Sequence, residues 1–219
     1  MGEFSLSPMV SSIYLATGAR QTFKLSNHGD QKLNILLSLM ERAQSGDTES
    51  RFPTKAARLS HSQIEVPARG EAEIFIEYTG SKKLPLERAF RLIAKSEALS
   101  DGRRLTRTYE ASVQVLLPQH SAHLRVASVA PPKKAPLGDS CILLIENTGT
   151  ASAEMGRYRF EILRDQKWIF LELDKPSVEH MAKIRVLPKT KRQVSVRFLE
   201  VNAAQLAGFQ LRLSLAPAN

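Results

Sequence analysis

Two short stretches decide how this chain is read: Leu25-Ser26-Asn27-His28-Gly29 and Ile145-Glu146-Asn147-Thr148-Gly149. Each closes an alternating apolar run with Asn-x-Gly, where a turn needs a positive φ or a bend capped by a side chain. The two asparagines stand 120 residues apart. A second pair of landmarks keeps nearly the same offset. Ile64-Glu65-Val66-Pro67 leads into the alternating run 71–78, and Ile184-Arg185-Val186-Leu187-Pro188 leads into the run 192–198, so Pro67 and Pro188 are 121 apart. A strand, a proline turn and a further strand thus recur in one register, which predicts two similar β-sandwich domains in tandem. The joint is expected near Leu117-Pro118-Gln119-His120-Ser121-Ala122, dividing the chain into residues 1–119 and 120–219.

Period-two patterning extends outward from these stretches. In 20–26, Thr22, Lys24 and Ser26 share one face and Phe23 and Leu25 the other; in 71–78, Glu71, Glu73 and Glu77 alternate with apolar residues between Gly70 and Gly80. Both patterns mark strands. The run 33–40, Leu-Asn-Ile-Leu-Leu-Ser-Leu-Met, fits a helical face or a strand buried on both sides, and its place between two strands favours the strand. Further strands are expected at 62–66, 89–95, 106–117, 124–129, 141–146, 158–163, 168–173, 192–198 and 209–215. Their spacing by Gly, Pro and Asn predicts an all-β chain with almost no helix. Asp47 and Glu49 read as part of a polar loop.

Composition narrows the function class. With 219 residues, 42% of them hydrophobic and 24% charged, the chain can bury a sizeable core. Its formal charge of +9 would attract nucleic acid, anionic lipid or an acidic protein. However, the basic residues are scattered over expected turns (Lys82-Lys83, Arg103-Arg104, Lys133-Lys134, Lys189 to Arg192) and only 6% of residues are aromatic. A nucleic-acid reader calls for a basic stripe with stacking aromatics, so no nucleic-acid partner is expected. The single cysteine, Cys141, rules out an internal disulfide and a cysteine-ligated metal cluster; inside Cys-Ile-Leu-Leu-Ile it reads as a small core residue. No run approaches the roughly 20 apolar residues of a membrane span, so no membrane insertion is expected. No signal peptide opens the chain, and Met1-Gly2 directly before the strand-like Phe4-Ser5-Leu6 reads as a start placed before a mature sequence. Phosphate-cradling glycine loops, nucleophile elbows and zinc-protease helices are absent from the sequence. His120-Ser121-Ala122-His123 lacks nearby carboxylate or thiolate partners and reads as two linker histidines. The expectation is a non-enzymatic protein with no metal and no cofactor.

A further stretch, Lys82-Lys83-Leu84-Pro85-Leu86-Glu87-Arg88-Ala89-Phe90-Arg91-Leu92, has a Leu-Pro step before a charged pair and an alternating run. Pro85 cannot donate a ladder hydrogen bond and so stops pairing before the strand starts, and Glu87 and Arg88 are placed for charge-assisted contacts at the strand's base. This segment resembles the lead into the sixth strand of the first domain in the periplasmic pilus chaperones of the chaperone–usher pathway. Phe4-Ser5-Leu6-Ser7-Pro8 is similar to the family's opening strand and Phe23-Lys24-Leu25-Ser26-Asn27 to its second. Pro67-Ala68-Arg69-Gly70 is similar to its P-x-x-G turn, and Tyr78-Thr79-Gly80 to the strand end before the Leu-Pro step. The order and spacing of these motifs over residues 4–95 carry the resemblance. The second half matches more loosely, through Ile145-Glu146-Asn147 and Val186-Leu187-Pro188.

The resemblance implies two immunoglobulin-like β-sandwich domains with an interdomain cleft, located in the periplasm. It also implies donor-strand complementation of pilus or fimbrial subunits for delivery to an outer-membrane usher. The lent strand falls at 105–117, and Leu105, Arg107, Tyr109, Ala111, Val113 and Val115 become the groove-filling face if that face does not cover the domain's own core. The family's usual pair of cations for a subunit's terminal carboxylate falls at Val10 and Gln114, neither of which is a cation. Arg20, Lys24, Arg107 and Arg125 are chemically able substitutes, and the departure marks a divergent member. The alternative is an immunoglobulin-like structural or adhesion protein without chaperone activity, since a fold alone does not set a function.

Overall fold

The computed structural model describes residues 4–46, 48–100, 103–130, 140–201, 203–206 and 208–216, with the main chain alone at 98–100, 103–105 and 203. Met1-Gly2, Asp47, Lys133-Lys134 and the side chains of Arg103, Arg104 and Leu105, all read from the sequence above, lie outside the described residues. The chain divides into two compact units, Met1–Ala43 with Ser50–Gln119, and Gln44–Glu49 with His120–Asn219.

The first ten strands are β1 (Phe4–Ser7), β2 (Val10–Tyr14), β3 (Arg20–Asn27), β4 (Leu33–Ser45), β5 (Thr48–Pro53), β6 (Ala57–Leu59), β7 (Gln63–Val66), β8 (Glu71–Tyr78), β9 (Arg88–Ser100) and β10 (Arg103–Leu116). They form two sheets, ordered β1-β3-β8-β6 and β2-β10-β9-β4-β5, with β7 also paired to β4. Alternation puts Phe23, Leu25, Ile74, Ile76, Ile35, Leu37, Phe90, Leu92 and Val113 into one buried cluster. Full burial of each such side chain is worth about 1.5–3 kcal/mol relative to exposure. The run 33–40 resolves as a half-buried strand, not one buried on both sides: Leu33, Ile35 and Leu37 are buried, while Asn34, Leu36 and Ser38 are exposed.

The second unit contains β11 (Leu124–Ala130), β12 (Ser140–Asn147), β13 (Ala153–Glu154), β14 (Tyr158–Arg164), β15 (Lys167–Leu171), β16 (Arg185–Val186), β17 (Lys191–Arg197) and β18 (Leu211–Leu215). Its sheets are ordered β11-β12-β17, β13-β16 and β15-β14-β18. A separate core joins Leu143, Ile145, Phe160, Ile162, Val194, Val196 and Phe198. Among the described residues there are two α-helices, α1 (Lys175–Met181) and the four-residue α2 (Ala203–Leu206), and one turn of 3-10 helix at Met155–Arg157. The start of α1 has a clear local cause: the Asp174 carboxylate accepts the Ser177 amide at 2.9 Å, and Pro176 occupies the first turn.

The repeated asparagines are buried clamps. Asn27 Nδ2 donates to the carbonyls of Gln31 and Pro67 at 2.8 Å each and of Val66 at 3.3 Å, while its Oδ1 accepts the Gly29 amide at 2.9 Å. Asn147 Nδ2 donates to Ala151 O at 2.8 Å and Val186 O at 3.0 Å, and its Oδ1 accepts Gly149 N at 2.9 Å. Val66 and Val186, and Gln31 and Ala151, keep the register of the asparagines. So do Arg69 and Lys189, the turn residues with φ of 52° and 59°. Each clamp ties the end of one strand to the turn before another, which is why the motif recurs once per sandwich.

Candidate strand-pairing edge

The site grows from the Leu84-Pro85 step. Leu84 and Glu87 are buried in the segment that leads from β8 into β9, and β9 begins at Arg88. Arg88 is fixed there by a two-pronged ion pair with Glu41 of β4, at 2.7 and 2.5 Å. The bond from Glu41 raises the Arg88 pKa further. From that base β9 runs antiparallel to β10 without a register break, from Val115 opposite Arg88 to Arg103 opposite Ser100.

The other side of β10 is covered only in part. β2 pairs with it in parallel, from Ser112 opposite Val10 to Leu116 opposite Tyr14. The Ser112 amide donates to Met9 O at 2.9 Å and Leu116 O accepts the Leu15 amide at 3.2 Å. Even-numbered residues of β10 therefore direct their main-chain groups away from β9. Toward the strand's start, the main chain of Thr106, Thr108 and Glu110 projects from an edge that no named strand among the described residues pairs.

Side chains on β10 alternate between a core and a polar face. Ala111, Val113 and Val115 are each 0% exposed and belong to this sandwich's own core. This corrects the expectation that they stand ready to fill a groove elsewhere. The odd-numbered face is the inner face of the sheet, and the β1-β3-β8-β6 sheet covers it. Tyr109 is half-buried and packs edge-on to Phe4, ring centroids 4.7 Å apart, and Arg107 is half-buried. On the outer face Thr106 and Thr108 are exposed. Glu110 accepts from both terminal guanidinium nitrogens of Arg51, at 2.6 and 2.9 Å, and Arg91 donates to Ser112 Oγ at 2.8 Å.

The four candidate cations are distributed over three strands. Arg20 lies over the Phe75 ring at 3.3 Å and Lys24 pairs with Glu71 at 2.5 Å, both on β3 in the sheet opposite β10. Only Arg107 is on β10, and Arg125 belongs to the second unit, where it binds Glu146 at 2.7 Å. Val10 is exposed at the start of β2. Gln114 is buried and accepts Ser12 Oγ at 3.3 Å, with no partner for its Nε2. His123 Nε2 bonds Ser121 Oγ at 3.0 Å. Sequence reading missed β2, which closes part of the β10 edge. Its Val-Ser-Ser-Ile-Tyr places only Ile13 in the core, too little for a period to register.

No family model matches the sequence, and no curated protein matches it. Solved structures do match the fold. The Class 5 fimbriae chaperone CfaA aligns with a TM-score of 0.60 at 12% identity, covering 99% of this chain and 100% of that one. A chain of the CsuC–CsuE chaperone–tip adhesion subunit pre-assembly complex, from the archaic chaperone–usher Csu pili of Acinetobacter baumannii, aligns at 0.58 and 13% identity over 87% and 89%. The chain has the fold of the periplasmic pilus chaperones. A chain of the Salmonella enterica SafA pilin–SafB chaperone complex shares the pilus-chaperone fold at 0.56 and 10% identity, over 98% and 96%. In this instance of the pilus-chaperone fold, the two positions where the resemblance in sequence leads one to expect cations hold a buried, neutral Gln114 and an exposed Val10, beside a half-open β10.

Proposed function

We propose that this protein is a non-enzymatic periplasmic chaperone for pilus or fimbrial subunits, which pairs a subunit's unfinished sheet with β10 and passes it to an outer-membrane usher. The observation that carries this reading is the half-open edge of β10. A fibre subunit lacking a strand exposes its own unpaired edge and an apolar groove, an aggregation hazard. The main chain of 103–111 offers it a partner strand, with Thr106, Thr108 and Glu110 presenting the pairing groups. Leu105, Arg107 and Tyr109 lie on that stretch, and Arg107 is the candidate cation on the strand itself. The solved chaperone–subunit complexes that share the fold support the same reading.

Proline tests the edge directly. At Thr108 it removes an amide that points away from β9; at Tyr109 it removes one from the β9 ladder. Co-expressed with a fibre subunit encoded beside it, the natural chain is expected to give a soluble one-to-one complex. Thr108→Pro is expected to lose most of that complex while circular dichroism stays that of the natural chain, and Tyr109→Pro to lose fold and complex together. A subunit recovered only as aggregate whether or not this protein is present, or full binding by Thr108→Pro, removes the proposal.

A further inference from the structure

The second unit carries another open edge. β15 ends its sheet, paired on one side with β14; on the other, no named strand among the described residues pairs 167–171, and directly after them Glu172 O accepts the Leu199 amide at 3.0 Å and Leu173 bridges Phe198, which limits the open edge to β15 itself. Natural edge strands are usually short, charged or covered. Here Trp168, Ile169 and Phe170 are three consecutive apolar residues exposed by 37%, 40% and 50%. Consecutive exposure on both faces is a property of a rim and not of a flat face, so pairing along the main chain suits it better than contact with a flat surface.

The outer face of this sheet is rigidly built. Glu161, buried in the middle strand, accepts Arg212 Nε at 2.7 Å, Ser214 Oγ at 2.9 Å and Arg159 Nε at 3.1 Å. Burial alone would raise its pKa, but the bonds from Arg212 and Ser214 and the charges of Arg212 and Arg159 hold it below the usual value. With its charge answered, Arg212 stacks over Trp168 at 3.9 Å and Arg159 lies over Phe170 at 5.8 Å. The two cations are engaged at home, which disfavours a phosphate-bearing partner.

We propose that β15 is a self-pairing edge, through which two copies of this chain join antiparallel about a two-fold axis at Ile169. That register is self-complementary. Trp168 of each copy faces Phe170 of the other on the outer face, and Ile169 faces its own counterpart on the inner face. Cross-strand aromatic pairs of this kind favour pairing. No like charges are set opposite: Lys167 falls beside Leu171 of the second copy and next to the exposed Glu172, so opposite charges flank the apolar centre at both ends. The contact is isologous and closed, and so gives a dimer and not a fibre. It is small, and so a weak interface. It is independent of the proposed subunit edge, which uses β10.

The two-fold position makes the test specific. In sedimentation equilibrium of the full chain over a wide concentration range, a monomer–dimer equilibrium is expected. Trp168, the sole tryptophan, should shift its emission to the blue as the dimer fills. Ile169→Lys sets two like charges against each other and should weaken association at least about tenfold, as should Ile169→Glu. An equimolar mixture of the two variants should restore it, because lysine then faces glutamate. If Ile169→Lys disturbs the monomer's circular dichroism, Phe170→Ser replaces it, with the same loss expected. A natural chain that stays monomeric, a variant that associates normally, a mixture that is not rescued, or anionic vesicles that shift Trp168 where concentration does not, each overturns the proposal.

Discussion

Cys141 shows how far one residue's environment sets its chemistry. It is 0% exposed in the second core, its Sγ 3.6 Å from Val196 O, and burial pushes its thiol up to about 11. The folded chain therefore holds this proton more tightly than the unfolded one. Its contribution to stability is complete below pH 9 and fades as pH rises toward 11. Since only the thiolate reacts, a disulfide reagent at pH 8 is expected to leave the native protein unlabelled and to label one thiol per chain in denaturant. Rapid labelling of the native protein would show that the core around Cys141 opens. Gly149 is a second residue fixed by its neighbours, since a Cβ there would collide with the Ser121 carbonyl and the His123 amide.

Strand β10 separates two properties that sequence alone merges, the existence of a strand and the direction of its faces. The alternation Tyr109, Ala111, Val113, Val115 was legible, but an apolar face suits a strand's own core and another protein's groove equally well. The opposing sheet decided the matter by covering it. A carboxylate at Val113 would be buried without a partner, at a cost of several kcal/mol, whereas Ser112 is half-buried on the polar outer face. Val113→Asp is accordingly expected to unfold the first sandwich. Ser112→Asp should change the melting temperature by only a few degrees, as thermal denaturation would show. A stable, folded Val113→Asp protein would mean that the inner face lies elsewhere. Helix α1 was missed although its capping aspartate and first-turn proline are visible, because seven residues give no convincing helical period.

Across the whole molecule, the two cores are separate clusters, each closed by its own asparagine clamp. Replacing either asparagine by leucine leaves buried carbonyls without donors, at about 1–3 kcal/mol for each group. Calorimetry is expected to resolve two transitions. Asn27→Leu should lower one and Asn147→Leu the other, each by about 10 °C or more for a unit of this size. A single transition lowered equally by both variants would show that the units unfold as one.

The sequence by itself determined the all-β class, the repeat and most strands, because alternation, turn residues and the asparagine clamps are local signals with fixed spacing. It also carried the likeness to the pilus chaperones, through the ordered motifs of residues 4–95. Only the tertiary structure decided which face of β10 is inside, that Arg20 and Lys24 lie in the sheet opposite Arg107, and that β2 covers one half of an edge and leaves the other open. Those are relations between strands distant in the chain. They depend on which sheet packs over which, and period-two patterning is the same whichever way a strand turns.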